Sequence, residues 1–284
     1  WIAEALQCAL SQIEIAVVAG DPCPRRYYRA TLLGGPATLT IGGETRQMLS
    51  CIAMLSPASE NNEAFLSVGA QLAKAGVRTP TVWAQSLESG WFLLEDFGDQ
   101  QLLPALVSHP VSAAAHYQKA FDALMCQISL PWEEADIPHY DTDRVKSELD
   151  VFPEWFLSGL LGIQLDERFR QRFAALTEYV VSVFAEQPTV WVHRDFHSRN
   201  LMLLEANELG VIDFQDAVLG PITYDPVSLL KDCYIRWPRV QQLTWLDGYL
   251  LQLRSVGVAA PSVGAPVATA EQLSRLHALA AQLD

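Results

Sequence analysis

The feature that most constrains this chain is a polar loop between two apolar runs. Val190–Val192 is followed by the pattern H-R-D-x-x-x-x-N over residues 193–200, and Leu201–Leu203 continues the chain. Another short apolar run, residues 210–212, then leads directly into Asp213. Short apolar runs bounded by polar residues predict buried strands. The sequence therefore predicts two polar loops held at the ends of short strands.

Three side chains in these loops, Asp195, Asn200 and Asp213, match the needs of phosphoryl transfer. A carboxylate within hydrogen-bond reach of an acceptor hydroxyl acts as its base, and Asp195 supplies one. Magnesium neutralises the charge of the transferring group and takes hard oxygen ligands, such as the Asn200 amide and the Asp213 carboxylate. Taken singly, such residues are usually turn or cap residues. Their joint spacing between apolar runs indicates a kinase-like site, with His193 bracing the loop.

Periodicity divides the chain into a β-rich part and an α-rich part. Strands are predicted after an N-terminal helix, at 15–18, 25–32, 38–41, 48–55, 81–85 and 91–95, with a helix over 63–75. Helices are predicted over 111–130, 142–161, 166–186, 226–236, 239–255 and 269–284, with a linker over 256–268. We predict an α+β, protein-kinase-like two-lobed fold. Its N-terminal nucleotide-binding lobe spans 1–95, its C-terminal catalytic and substrate-binding lobe spans 96–284, and the site lies in the cleft.

The composition limits the classes of partner that this chain is expected to bind. The net charge of −14 argues against a nucleic-acid partner, because phosphate backbones bind basic surfaces, and suits a cationic or neutral small substrate. No apolar run approaches the ~20 residues needed to span a bilayer, so no membrane partner is expected. The five cysteines are widely spaced and form no C-x-x-C, which favours free thiols and a cytoplasmic location. No obligate protein partner is evident.

The triplet Asp96-Phe97-Gly98 spells D-F-G, the metal-binding motif of protein kinases, but it lies far ahead of the H-R-D pattern, which it should follow. We interpret it as the hinge between the lobes. Main-chain groups from Glu95 to Phe97 are expected to hydrogen-bond the adenine ring, which leaves Asp213 as the metal-binding aspartate.

The β-rich part lacks the lysine with which protein kinases hold nucleotide phosphates, since the first lysine of the chain is Lys74. No G-x-G-x-x-G loop is present either. Arg25 and Arg26 are the candidate substitutes, because guanidinium binds phosphate bidentately. Strand alternation allows only one of the two to face the cleft. Glu60 and Glu63 are candidates to orient it, and plain surface roles remain open for all four residues.

The pattern H-x-D-x-x-x-x-N followed by Ile212-Asp213-Phe214 resembles the aminoglycoside phosphotransferase and choline kinase superfamily. The longer string over residues 212–225, I-D-F-Q-D-A-V-L-G-P-I-T-Y-D, is similar to that of bacterial anomeric sugar kinases, which phosphorylate C1 of N-acetylmuramate and N-acetylglucosamine in cell-wall recycling. F-P-E-W-F at 152–156, R-R-Y at 25–27 and W-P at 237–238 also match, as does the missing lysine. The loop at 21–24 departs from that family, since it reads D-P-C-P in place of D-A-S-F.

This resemblance implies that Asp195 is the base, that Asn200 and Asp213 bind Mg²⁺, and that ATP is the co-substrate. It places Arg199, Asp216 and Tyr224 near the sugar. Asp216 has a second interpretation as support for the loop that carries Asp213, which we term the metal loop. Asp225 is expected to cap a helix or brace the fold. Two other functions remain open, a phosphotransferase acting on an aminoglycoside, an aminocyclitol or another small alcohol, and a non-catalytic nucleotide-binding module.

Overall fold

A computed structural model describes residues 1–18, 24–41, 43–131, 136–205 and 208–255. The first part of the chain forms a five-stranded antiparallel sheet with the spatial order β1-β2-β5-β7-β6, and β3 pairs with β4 in a separate hairpin. The strands are β1 (Ile13–Val17), β2 (Arg26–Leu32), β3 (Ala37–Ile41), β4 (Glu44–Met48), β5 (Ser50–Leu55), β6 (Val82–Ser86) and β7 (Trp91–Glu95). Helix α1 (Ile2–Ala5) and a 3-10 turn (Leu10–Gln12) precede the sheet, and α2 (Asn62–Lys74) follows β5.

Both faces of the sheet are covered, because alternate residues of its central strands point to opposite sides. Met54 and Phe92 belong to one buried cluster with Phe65 of α2, and this cluster continues into the helical part of the chain. Ala53 and Leu93 belong to a second cluster, with residues of α1 and of the β3–β4 hairpin. Helix α2 thus lies on the side of the sheet that faces the helical part.

The described residues after β7 are mostly helical. Their helices are α3 (Leu102–Ser108), α4 (Ala113–Ile128), α5 (Thr142–Val151), α6 (Glu167–Ala185), α7 (Tyr224–Leu230) and α8 (Arg239–Ser255), with a 3-10 turn (Pro110–Ser112) and a π-helix (Phe152–Leu160) that continues α5. Aromatic residues of α4 and α8 pack closely, since the Tyr117 and Trp245 rings stack with centroids 4.1 Å apart. Among the described helices, none combines the length and the apolar composition that crossing a membrane requires.

Two small two-stranded sheets inside the helical part carry the polar loops. They are formed by β8 (Thr189–Val192), β9 (Leu201–Leu203), β10 (Leu209–Val211) and β11 (Val218–Pro221). Strand β8 pairs antiparallel with β11, and β9 pairs antiparallel with β10. All of their residues except the two strand-end positions Thr189 and Leu203 are buried. The apolar strands therefore fix the ends of the loop over 193–200 and of the loop that begins at Ile212.

Several predicted elements differ in the structure. The strand expected over 48–55 is two strands, because Met48 pairs with Ala37 in the hairpin while Ser50 pairs with Thr31 in the sheet. The helix expected over 226–236 ends at Leu230, since Asp232 leaves the helix to accept hydrogen bonds from the main chain of Ser198 and Tyr234.

Three further differences concern helices. The N-terminal helix is shorter than expected and ends at Ala5, and α3 was not predicted. The segment expected as one helix over 142–161 changes to a π-helix at Phe152. The predicted linker over 256–268, the predicted helix over 269–284 and residues 21–23 of the D-P-C-P loop lie outside the described residues.

Candidate active site

A buried carboxylate braces the turn that carries Asp195. Asp225, in the first turn of α7, accepts hydrogen bonds from the backbone N–H groups of His193 at 2.7 Å and of Arg194 at 3.0 Å, and from the Gln127 side chain at 2.7 Å. Burial raises the pKa of Asp225 to about 6, against these bonds, which favour its charged form. This is the fold-bracing role expected for Asp225 from the sequence.

His193 joins the two polar loops. Its Nε2 lies 3.1 Å from the carbonyl oxygen of Ile212, the residue before Asp213. Burial lowers the pKa of His193 to about 4, so the ring is neutral at pH 7. Because a carbonyl can only accept, the proton of the neutral ring resides on Nε2. His193 therefore braces the loop, as predicted, and leaves proton transfer to another group.

Asp195, Asn200 and Asp213 converge at the mouth of these loops. The Asn200 side-chain nitrogen donates to the Asp195 carbonyl oxygen at 2.9 Å and lies 3.4 Å from Asp213 Oδ2. Asp213 has a left-handed backbone with φ of 66°, a conformation found at functional sites when the surroundings enforce it. Desolvation and the charge of Asp213 raise the pKa of Asp195, and the charges of Arg194 and His197 oppose the shift. A raised pKa makes this carboxylate a better proton acceptor.

The donor set at Asn200 and Asp213 fits a magnesium ion bound together with a nucleotide. The side-chain nitrogen of Asn200 donates to the Asp195 carbonyl oxygen and to Asp213 Oδ2, which leaves the amide oxygen as the atom that Asn200 can offer a cation. Among the described residues, no group of three or more His, Cys, Asp or Glu side chains is arranged to hold a metal. Magnesium typically takes one or two protein ligands and completes its octahedron with phosphate oxygens and water, so two oxygen donors are sufficient.

Arg25 and Arg26 face different surroundings. Arg25 is buried, its Nε donates to Ser56 Oγ at 3.2 Å, and its guanidinium lies 3.5 Å from Glu60. Arg26 is exposed and lines a cavity of about 340 Å³ beside the β6–β7 turn. Glu60 thus orients Arg25, whereas Glu63 lies in the first turn of α2.

The Arg25 guanidinium is connected to the metal loop through aromatic contacts. Its carbon Cζ lies 5.9 Å from the centroid of the Phe65 ring. Phe65 in turn stacks on Phe214 at 5.3 Å, and Phe214 directly follows Asp213. This chain of contacts places Arg25 on the side of the sheet that faces the polar loops.

The D-F-G segment belongs to the junction between sheet and helices. The Asp96 carboxylate accepts from Arg29 at 2.7 Å and from Ser50 at 2.6 Å, so it is committed to the sheet. Glu95 pairs with Arg78, and the Phe97 ring lies beneath the same guanidinium at 4.8 Å. These contacts give Asp96 a structural role, and the assignment of Asp213 as the metal-binding aspartate stays a prediction.

Of the three residues expected near the acceptor, Asp216 lies in the loop of Asp213, whereas Arg199 and Tyr224 pack against aromatic rings. The Gln215 side chain donates both to Asp213 at 2.9 Å and to Asp216 at 3.3 Å. The Arg199 guanidinium lies 4.9 Å from the ring centroid of Tyr234. Asp216 thus shares a hydrogen-bond donor with Asp213, and its role at the acceptor or in support of the metal loop stays a prediction.

Tyr224 stands at the start of α7, and its ring packs edge-on against that of Tyr140 at 5.1 Å. Sequence reasoning missed Tyr140, Glu148 and Tyr234, all of which contact residues of the candidate site. Tyr140 and Glu148 come from a segment with no motif that ties it to the H-R-D pattern. Tyr234 follows α7, where the sequence predicted a continuing helix.

Comparison with known proteins gives the family. The model of the phosphotransferase enzyme family matches residues 35–266. N-acetylmuramate/N-acetylglucosamine kinase of Pseudomonas aeruginosa is 35% identical over 252 residues, which are 87% of this chain and 68% of that protein. The protein of the same name from Neisseria meningitidis is 32% identical and covers 87% of this chain and 70% of its own length. The one from Pseudomonas putida is 36% identical, and the chain spans 58% of its length.

Solved structures similar to this chain share its fold at low sequence identity. An ADP-bound aminoglycoside phosphotransferase superposes with a TM-score of 0.57 at 14% identity, covering 94% of this chain and 91% of that one. Plasmodium vivax ethanolamine kinase superposes with a TM-score of 0.58 at 11% identity, covering 87% and 70%. These neighbours confirm the predicted protein-kinase-like, α+β fold. Through the family model and the relatives above 30% identity, the chain belongs to the phosphotransferase enzyme family, whose members transfer a phosphoryl group to an alcohol acceptor.

Proposed function

We propose that this chain transfers the γ-phosphoryl group of ATP to the C1 hydroxyl of N-acetylmuramate and N-acetylglucosamine in cell-wall recycling. The observation that carries the proposal is that Asp195, Asn200 and Asp213 lie together on two adjoining loops, with the Asn200 amide nitrogen 2.9 Å from the Asp195 carbonyl oxygen and 3.4 Å from Asp213. The names of the relatives at 32% to 36% identity supply the acceptors. A cytoplasmic location follows from the same proposal.

In this proposal Asp195 accepts the proton of the acceptor hydroxyl. Asn200 and Asp213 hold Mg²⁺, which when bound neutralises charge on the transferring group. An anomeric hydroxyl is more acidic than an ordinary alcohol, so a carboxylate is a sufficient base. The raised pKa of Asp195 strengthens it in this role.

The remaining residues divide between nucleotide and acceptor. Arg25 is the proposed phosphate contact, since it faces the polar loops while Arg26 faces solvent. Main-chain groups from Glu95 to Phe97 are the proposed adenine site, at the boundary between lobes 1–95 and 96–284. On the acceptor side we propose Arg199 and Tyr224, with Asp216 acting through the metal loop.

A second candidate acceptor is an aminoglycoside. The net charge of −14 favours a polycationic substrate, and aminoglycoside phosphotransferases share the fold. Against this candidate, the relatives above 30% identity are amino-sugar kinases, whereas the aminoglycoside enzymes resemble this chain only at the level of fold.

The test is ADP release with magnesium and ATP against N-acetylmuramate, N-acetylglucosamine, glucose, choline and an aminoglycoside. We expect turnover on the two N-acetyl sugars. Asp195→Asn is expected to abolish it while ATP still binds, and exposed Asp122→Asn is the matched control. Turnover on the aminoglycoside or choline alone would overturn the proposed acceptor. Turnover by Asp195→Asn within a few-fold of wild type would remove Asp195 from the role of base.

A further inference from the structure

Glu148 of α5 contacts two parts of the site at once. Its Oε1 accepts a hydrogen bond from the Arg194 guanidinium at 2.7 Å, and its Oε2 accepts one from the Tyr140 hydroxyl at 2.5 Å. The side chains of Glu148 and Arg194 are 32% and 21% exposed, so the pair is largely shielded from water. Such shielding strengthens charge-assisted hydrogen bonds.

The first contact acts on the residue that orients the proposed base. Arg194 precedes Asp195 and has a left-handed backbone with φ of 78°, which a non-glycine residue adopts only where its surroundings enforce it. Asp225 holds the backbone N–H of Arg194, and Glu148 holds its guanidinium. The conformation that sets the direction of Asp195 is thus fixed at both its main chain and its side chain.

The second contact acts on the acceptor side. The backbone N–H of Tyr140 donates to the Leu219 carbonyl oxygen at 2.7 Å, which attaches this segment to β11. The ring of Tyr140 packs against that of Tyr224 at 5.1 Å. Burial and the bond to Glu148 raise the pKa of Tyr140, so its hydroxyl stays protonated and remains a donor. Glu148 therefore joins the Asp195 turn to the tyrosine pair.

We propose that Glu148 is a positioning residue for phosphoryl transfer, because it fixes the left-handed turn at Arg194 and the Tyr140–Tyr224 pair in one arrangement. The inference rests on the proposed function in that it takes Asp195 as the base and Tyr224 as a border of the acceptor site. Glu148 itself exchanges no proton with the substrate. Its loss is expected to lower the rate of transfer while nucleotide binding is kept.

The same helix provides a matched control. Lys146 of α5 pairs with Glu178 of α6 at 2.7 Å, the distance of the Glu148–Arg194 pair. The side chains of Lys146 and Glu178 are 39% and 65% exposed, so this pair lies on the outer surface. Glu178→Gln removes an ion pair of equal length from the same helix hairpin, and Glu148→Gln removes the pair that contacts the turn.

The experiment compares wild type, Glu148→Gln, Glu178→Gln, Arg194→Gln and the double variant Glu148→Gln/Arg194→Gln. The kcat for the acceptor and the KM for ATP are measured, and amide hydrogen exchange is followed at residues 193–195. We expect Glu148→Gln to lower kcat by about tenfold to a hundredfold, the range for a small misplacement of a reacting group, with an unchanged KM for ATP. Exchange at the turn is expected to rise in this variant and not in Glu178→Gln.

The double variant separates a coupled pair from two independent losses. If Glu148 acts through Arg194, the double variant loses no more activity than the worse single variant. Equal kcat and equal exchange in Glu148→Gln and Glu178→Gln would overturn the positioning role. Wild-type enzyme silent on both N-acetyl sugars would overturn the proposed acceptor instead. In that case the exchange measurement still decides whether Glu148 holds the turn.

Discussion

Replacing Asp225 by alanine tests how the turn before Asp195 is held. The substitution removes the acceptor of three donors, the backbone N–H groups of His193 and Arg194 and the side chain of Gln127. Each buried donor left unpaired costs about 1 to 3 kcal/mol, or roughly 3 to 9 kcal/mol for the three together. Wild-type protein also bears the cost of burying the charge, since the pKa of Asp225 rises from 3.8 to about 6.

At about 1.36 kcal/mol per pKa unit, that shift corresponds to about 3 kcal/mol, which alanine recovers at pH 7. The net loss of unfolding free energy is therefore about 0 to 6 kcal/mol, with about 3 kcal/mol as the central value. Urea denaturation measures this loss from the change in midpoint. Asp122→Ala is the control, because exposed Asp122 accepts from Gln118 and Gln252 and contacts no part of the site.

The pH dependence of the unfolding free energy is a second test, because its direction follows from the raised pKa of Asp225. Folded protein binds a proton at Asp225 more readily than unfolded protein does between pH 3.8 and about 6, because the folded-state pKa is raised. The stability contributed by Asp225 is therefore fully present below pH 3.8 and is lost as pH rises through 6. The destabilisation caused by Asp225→Ala should grow as pH falls from 7 toward 4. A variant that is more stable than wild type at pH 7, or a destabilisation that shrinks in acid, would contradict the bracing role of Asp225.

Three further predictions concern the nucleotide, the metal and the packing between the lobes. Arg25→Met is expected to raise the KM for ATP about tenfold or more, since a phosphate loses its guanidinium partner, whereas a KM unchanged relative to the exposed control Arg26→Met would contradict that role. Asp213→Asn is expected to abolish the magnesium-dependent increase in ATP affinity, measured by calorimetry with and without the ion, and an intact increase would remove Asp213 as a ligand. Gly69→Ala places a Cβ 2.9 Å from Phe214, which is buried and stacked on Phe65, so a loss of about 1 to 3 kcal/mol is expected in urea denaturation. Exposed Ser67→Ala in the same helix serves as the comparison, and equal stabilities would show that Phe214 moves freely.

The parts of the site that follow from sequence are those whose geometry is local. Asp195 and Asn200 share one loop, and short buried strands on either side fix its ends. Asp213 lies two residues after the end of such a strand, so the apolar pattern alone predicts its place. Of the two roles expected for Asp225, the structure shows the brace and not the cap, because the N-cap of α7 is Thr223 and the Asp225 carboxylate accepts from the main chain of His193 and Arg194.

The parts that sequence did not predict depend on contacts between distant segments. The Glu148–Arg194 pair joins residues 46 positions apart, and Gln127 and Asp225 are 98 positions apart. No periodicity within a single segment contains such a pairing. The end of α7 at Leu230 has the same cause, since Asp232 leaves the helical path to bond the loop at Ser198. Long-range hydrogen bonds override local helix propensity there.

In the proposed function, Asp195 and the metal loop direct a phosphoryl group to the C1 hydroxyl of an N-acetyl amino sugar. The most direct measurement is phosphorus NMR of the product formed from ATP, magnesium and N-acetylmuramate, with Asp195→Asn as the negative control. We expect a phosphate that is coupled to the anomeric proton and is lost on mild acid treatment, and no product with the variant. A phosphate on any other hydroxyl, or an equal yield from Asp195→Asn, would contradict it.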